Sequence, residues 1–499
     1  MNAGTFKVIT LILFICCASA VNVELYACES SCSNNKVYDL WEPGEGISND
    51  IIDKCSTQLK EMPKKDEILL FGGLEKLWKL CVVEDVQGDD VSVKPSLNID
   101  CSCKKKEDLR RPKLPSLYCS YPSDTEFKSL INRVHKLLPA PDEYTKISEY
   151  FLRYGNAGLI QVIIGKPEVP VNVTGDVHAD RQSLRTNLYM KYVQKLIDNK
   201  LLSKDCRSVY LGDNIGRYVY GVEVLAKLLQ LKEQDDNLFL LRGNHESMVM
   251  TMVDGFGSEL CKKYGEEASS SVLERLQNLF SRLPQLLIIG SCVNELKHKY
   301  SFGYYCHGGI NKNLTGQING IIRKAVARHI KTNDHINMID CFDSRNNVSG
   351  NAYLDSGLMW GDFYSDSDVP DGEKPSHRGV FGVYSYSKSA AKKYLQDELS
   401  GIGLADQVSY SYRVDFIARG HAHIPGGIVE LAYGDKKGEE CWKPLESGKT
   451  YQVKPGTVFS CTSTRFDDDE SKCEASFAVF KVEKDGEWSI TPYIQKCST

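Results

Sequence analysis

The sequence predicts an α/β fold on three observations. From about residue 124 onward, short apolar runs alternate with helically spaced segments. Five of those runs stop abruptly in side chains that can ligate metals. The 499-residue chain is also 42% hydrophobic, enough for a sizeable core and for two or more domains. Its formal net charge of −5 supplies no bulk attraction to nucleic acid or anionic lipid, so neither is expected as a partner.

The N-terminus carries Lys7, an apolar run from Val8 to Cys17, and Ala18-Ser19-Ala20 ahead of Val21. One positive charge, a short apolar core and small residues at a cleavage point make residues 1–20 a secretory signal peptide, which predicts a protein that is secreted or held in the lumen of the secretory route. The run is shorter than the ~20 residues a membrane-spanning helix needs, and no later run reaches that length, so no membrane span is expected.

Setting aside Cys16 and Cys17 leaves sixteen of the eighteen cysteines, seven from Cys28 to Cys119 and nine from Cys206 to Cys497. An even total in an oxidising compartment predicts disulfides, without fixing their pairing. Neither Cys101-Ser102-Cys103 nor Cys28 to Cys32 has the two-residue gap and matching second pair of a zinc knuckle. Residues 21–122 therefore read as a small cysteine-rich N-terminal domain ending in a basic, proline-containing linker, where Arg110-Arg111 is open to proteolysis.

The second domain, residues 123–499, opens with Phe127, Leu130, Val134, Leu137 and Leu138 at helical spacing. Five apolar runs follow: Val171 to Thr174, Val209 to Leu211, Leu238 to Leu241, Tyr304 to Cys306 and Phe416 to Ala418. They lead into GDVHAD, with Asp176 and His178; GDNIGRY, with Asp213 and Arg217; LLRGNHES, with Asn244 and His245; HGG, with His307; and ARGHAH, with His421 and His423. Carboxylate, amide oxygen and imidazole together suit borderline di- or trivalent ions such as zinc, manganese or iron. Each fragment alone is commonly structural. All five stand where α/β sheets place their sites, at the carboxyl ends of strands.

In order and spacing these fragments resemble the phosphoprotein phosphatases, within the calcineurin-like metallophosphoesterases, whose pattern runs G-D-x-H-G, G-D-x-x-D-R-G, G-N-H-E, H-G-G and R-x-H. FLLRGNHES, LMWGDF and HRGVFGVYS add to the likeness, which covers roughly residues 124–482. The resemblance implies a central β-sandwich flanked by helices, and two transition-metal ions. Asp176 and His178 would hold the first ion, Asp213 would bridge, Asn244, His307 and His421 would hold the second, and His423 would be a further ligand of the first. It also implies Arg217, Arg378 and Asn244 as the substrate-binding set and His245 as the acid that protonates the leaving group. Two cations neutralise a phosphate monoester and activate a bridging hydroxide to attack it.

Two departures stand out. Gly216 replaces the family's aspartate in D-R-G, the carboxylate that steadies the catalytic histidine, and Asp180 is the candidate substitute. Thr464 stands at a late tyrosine position. The implied activity is metal-dependent hydrolysis of phosphomonoesters on proteins or peptides. Hydrolysis of nucleotides or other small phosphoesters, and a non-catalytic binding module, remain alternatives. Of three sequons, Asn172 falls in an expected core strand and Asn313 in a loop, leaving Asn313 as the better acceptor; Asn347 is the third.

Overall fold

A computed structural model describes residues 121–138, 157–181, 183–184, 186–188, 206–343, 357–364, 372–375, 383–422, 427–432, 442–463 and 474–496. The expected signal peptide, the cysteine-rich block, Asn347, Arg378, His423 and Thr464 lie outside these residues.

The helix Asp124–Leu137 begins where its sequence says it should. Ser123 accepts the Glu126 N–H, and Glu126 returns to the Ser123 N–H, which closes a capping box. Phe127, Leu130, Ile131 and Val134 are buried along one face, whereas Leu137 stays 47% exposed in the last turn, contrary to the spacing argument. Its place on the apolar face is taken by Leu138, just past the helix end.

Two large sheets carry the domain. In the six-stranded sheet, Val171–Thr174, Arg207–Tyr210 and Leu238–Leu240 run parallel, and Glu474–Val482, Trp488–Lys496 and Tyr451–Val453 continue it antiparallel beyond Val171–Thr174. In the nine-stranded sheet, Lys299–Cys306, Val408–Arg419 and Thr457–Cys461 are parallel neighbours, while Leu286–Asn294 pairs antiparallel with Lys299–Cys306 and parallel with Ala157–Gly165. The three parallel strands of the first sheet are buried almost throughout, which is why they read as continuous apolar runs rather than alternating ones.

Side chains from both sheets share one core. Ile163, Leu287, Tyr305, Phe416 and Phe459 of the larger sheet meet Val173, Val209, Leu241, Phe480 and Trp488 of the smaller. The outer face of the larger sheet packs on helix Thr315–Thr332 and the segment Lys388–Glu398. The outer face of the smaller packs on helices Asp124–Leu137, Gly221–Gln234, Phe256–Tyr264 and Glu266–Ser281. The result is the expected β-sandwich with helices on both sides.

The strand Val408–Arg419 carries a bulge. Val414 pairs with Phe302 and Phe416 with Gly303, so Asp415 is the extra residue. Its carboxylate accepts from the Ser301 hydroxyl and pairs with Arg413. Ser301 in turn accepts the indole N–H of Trp488 at 2.8 Å, which stitches the two sheets beneath the bulge. The opposite end of the sandwich is closed by backbone: Asp176 bridges to Thr462, and the Ser463 N–H donates to the Asp176 carbonyl.

Candidate metal centre

All five apolar runs are strands, or extend one by a residue, and their carboxyl ends converge. Asp176, His178, Asp213, Asn244, His245, His307 and His421 are all buried. Asp176, His178, Asp213, Asn244 and His245 come from the three loops after the small sheet's parallel strands, and His307 and His421 follow neighbouring strands of the large sheet. Two groups of potential ligand atoms form, His178–Asp213–His245 and Asp213–His307–His421, each lying within 4.8 Å. Among the described residues Asp213 belongs to both groups, while His245, expected as the acid, falls in the first and Asp176 in neither.

The loops interlock through one another's polar groups. Asp176 Oδ1 accepts the His421 N–H at 2.9 Å, and Asp213 Oδ1 accepts the His245 N–H at 2.9 Å. The His178 N–H donates to the Asp213 carbonyl. Glu246 accepts three backbone N–H groups, from Asp213, Asn214 and Gly243, each at 2.8 Å. This glutamate had no role assigned from sequence, although it closes the quoted G-N-H-E; its task is to fasten the Asp213 loop to the Asn244 loop. His178, Asp213, Arg217 and His421 all hold positive φ, at 47°, 52°, 67° and 64°. Non-glycine residues rarely adopt that conformation, and when they do they cluster at functional sites.

A cation fits this donor set. His307 Nδ1 lies 3.2 Å from the Leu211 carbonyl, which can only accept, so Nε2 is the atom turned into the site. There it meets Asn244 Oδ1 at 2.8 Å, Asp213 Oδ2 at 3.1 Å and His421 Nδ1 at 3.1 Å. Four electron-rich atoms converge, and a single ring proton can serve only one or two of them; an ion serves all. His178 repeats the arrangement, with Nδ1 3.4 Å from the Ile215 carbonyl and Nε2 3.7 Å from Asp213 Oδ2.

The electrostatics agree. Burial works to raise the Asp213 carboxyl, but His245, His307 and His178 outweigh it and hold the group well below the ordinary carboxylate range. Asp176 goes the other way, pushed up to about 6 by burial, against the pull of His307, and helped by the Asp213 charge. Burial opposes the charged forms of His245 and His307, yet the surrounding carboxylates raise both. Perturbed groups of opposite direction in one buried cluster are what a metal or catalytic site produces.

Arg217 is exposed beside this cluster. The arginine of ARGHAH is not: Arg419 is buried, donating to the Gly361 carbonyl at 3.1 Å and to Asp362 at 3.0 Å, so it anchors LMWGDF rather than facing the site. The same segment explains HGG. Gly308 and Gly309 donate to the Leu358 and Gly357 carbonyls, and a Cβ on Gly308 would lie 2.5 Å from the Met359 carbonyl carbon.

One expectation is corrected. Asp180 does not take the vacant carboxylate role, because its oxygens accept the Ser183 N–H and hydroxyl at 3.2 and 2.6 Å. Asp254 stands there instead, with Oδ2 2.8 Å from His245 Nδ1. It follows the short helix Met248–Val253, nine residues after its partner, and no periodicity or motif marked it. The one available signal was negative: a glycine at 216 leaves room for a carboxylate from elsewhere.

Comparison with known proteins bears on the family. The calcineurin-like phosphoesterase family profile matches residues 169–425, more than half of the chain. Catalytic subunits of serine/threonine-protein phosphatase 4 are 26% identical both in Candida glabrata, over 54% of this chain and 68% of that protein, and in Kluyveromyces lactis, over 65% and 83%. The Saccharomyces cerevisiae PP2A-like phosphatase PPG1 is 27% identical, over 54% of this chain and 63% of its own length. A solved yeast serine/threonine phosphatase with similarity to human PP5 aligns with 76% of this chain and 92% of its own at 15% identity and a TM-score of 0.43. The chain is a distant relative of the serine/threonine protein phosphatases and belongs to the calcineurin-like phosphoesterase family.

Proposed function

We propose that this protein is a secreted phosphomonoesterase that uses two transition-metal ions, of manganese, iron or zinc, to hydrolyse phosphate esters on proteins or peptides. The observation that carries the reading is the pair of His/Asp groups sharing Asp213, with an exposed arginine at their edge. The relatives, all serine/threonine-protein phosphatases, support the substrate class. Residues 1–20 supply the secretory route.

Asp176, His178 and Asp213 would hold one ion and Asp213, Asn244, His307 and His421 the other, with His423 completing the first. When bound, the ions neutralise the phosphate and activate a water molecule. The chain's own groups do the rest. Arg217, and Arg378 with it, present planar guanidinium forks that match phosphate oxygens. Leu211 and Ile215 accept from the Nδ1 hydrogens of His307 and His178, and so keep both Nε2 atoms turned inward. His245, held with Nε2 on the Asp213 side, supplies the proton to the departing alkoxide.

The decisive measurement is metal analysis of the purified protein together with phosphate release from phosphoserine, phosphothreonine and phosphotyrosine peptides and from a nucleotide panel. Asp213→Asn keeps the shape of the side chain but removes the charge common to both groups. It is expected to lower turnover ~100-fold or more and to reduce bound metal. Full activity of that variant, an active metal-free enzyme, or turnover confined to nucleotides would each overturn the proposal.

A further inference from the structure

We propose that Asp254 is the positioning residue for His245, and that Gly216 is the position that makes this possible. This inference rests on the reading of the site as a phosphomonoesterase. The His245 ring is buried between two carboxylates, Asp254 Oδ2 at 2.8 Å from Nδ1 and Asp213 Oδ2 at 3.6 Å from Nε2. The Asp254 contact departs from straight N–H hydrogen-bond geometry, and among the described residues neither His245 Nδ1 nor Asp254 Oδ2 has a hydrogen-bond partner elsewhere. The Asp254 side chain is only 13% exposed, so the pair is not a solvated surface contact. With Nδ1 facing Asp254 and Nε2 facing Asp213, Nε2 is the nitrogen on the side of the metal ligands.

Asp254 reaches this place by a short route. Ser247 caps the helix Met248–Val253 by accepting the Met250 N–H, and Asp254 ends the helix with its own N–H on the Met250 carbonyl. The chain thereby turns back within nine residues, and the carboxylate at the helix end meets the histidine that precedes its start. The same residue holds the opposite loop: its carbonyl accepts the Arg217 N–H at 3.3 Å, where Arg217 has a φ of 67°. One residue therefore fixes both the proton donor, through its side chain, and the arginine backbone, through its main chain.

Gly216 completes the argument. Its φ is 85°, and a Cβ placed there would lie 2.3 Å from His245 Nδ1 and 2.6 Å from Asp254 Oδ2. Even a methyl group would intrude between the two. A side chain at 216 and the Asp254 carboxylate are thus mutually exclusive at Nδ1, and the chain supplies its carboxylate from 254.

The test uses the metal-loaded full chain and two substrates, 4-nitrophenyl phosphate and a phosphoserine peptide, whose leaving groups differ in their need for a proton. Asp254→Asn is expected to lower kcat on the phosphoserine peptide ~10–100-fold while KM and metal content hold, and to lower it far less on the nitrophenyl ester. In a His245→Ala background the same change should cost nothing further. Gly216→Ala should reproduce the substrate-selective loss with Asp254 intact. Equal losses on both substrates, or full additivity with His245→Ala, would overturn the assignment. If the wild-type protein cleaves neither substrate, the functional reading fails separately. The imidazole ¹⁵N spectrum of His245 then decides the positioning role, with unchanged Nδ1 and Nε2 shifts in Asp254→Asn counting against it.

Discussion

Glu246 shows how much of the site depends on a residue that touches no substrate. It is buried, and burial, reinforced by the neighbouring Asp213 charge, pushes its carboxyl up, while the three backbone N–H groups it accepts pull the other way. Replacing it with alanine leaves those donors facing no acceptor. Each such orphaned group costs ~1–3 kcal/mol, so Glu246→Ala is expected to lose at least ~3 kcal/mol in denaturant unfolding, well above an ordinary surface change. A loss under ~1 kcal/mol would mean that water replaces the carboxylate. Neither Glu246 nor Asp254 received a role from the sequence. The ligand residues announce themselves by type at strand ends, whereas these two matter through where a loop or a short helix happens to point them.

At the scale of elements, the strands leading into the site were readable because burial on both faces makes them unbroken apolar runs. Their pairing was not: nothing in Val408–Arg419 says that Asp415 is a bulge, and the arginine in ARGHAH gave no sign that it would turn to Asp362. Asp415 has a measurable signature. Burial raises its carboxyl above the ordinary value, although Ser301 and Arg413 work against that. The folded protein therefore holds this proton more tightly than the unfolded chain. The corresponding stability is present below the unfolded pKa of ~4 and is lost as pH rises through the higher folded value. Asp415→Asn removes this titration, so the variant should lose less stability than the wild type between pH 4 and pH 7. Parallel stability curves would show that the Arg413 pair already offsets the burial.

For the molecule as a whole, the site is a seam. Asp176, Asp213 and Asn244 come from the smaller sheet and His307 and His421 from the larger, so an ion bound among them ties the two halves of the sandwich together. A ligand that binds only the folded state adds about 2.7 kcal/mol at a hundredfold excess over its Kd. Chelation is accordingly expected to lower Tm and to make it depend on added metal, as differential scanning calorimetry would read. An unchanged Tm would place the ion binding elsewhere. The sandwich was legible only through the family resemblance, because the runs themselves announced strands without saying which sheet each joins. The expected disulfides have no support in Cys261, Cys292, Cys306 or Cys461, which are free thiols. Cys306 and Cys461 are fully buried, and burial pushes both thiols up, that of Cys306 to about 12, which disfavours the reactive thiolate.

The backbone bridge between Asp176 and Thr462 makes the first ligand loop depend on residues far along the chain. The first ligand loop is completed by a strand nearly three hundred positions later, and the sheet that carries it is finished only by Glu474–Val482 and Trp488–Lys496. A growing chain that has emerged as far as His421 holds every described ligand yet has no assembled pocket. Loops that long must close before any distant pairing stabilises them, which makes folding slow. Metal binding is therefore expected to require the strands that follow Thr457, not the ligand side chains alone. A ribosome-bound or truncated chain ending before Thr457 should bind the ion no better than a peptide carrying the same side chains.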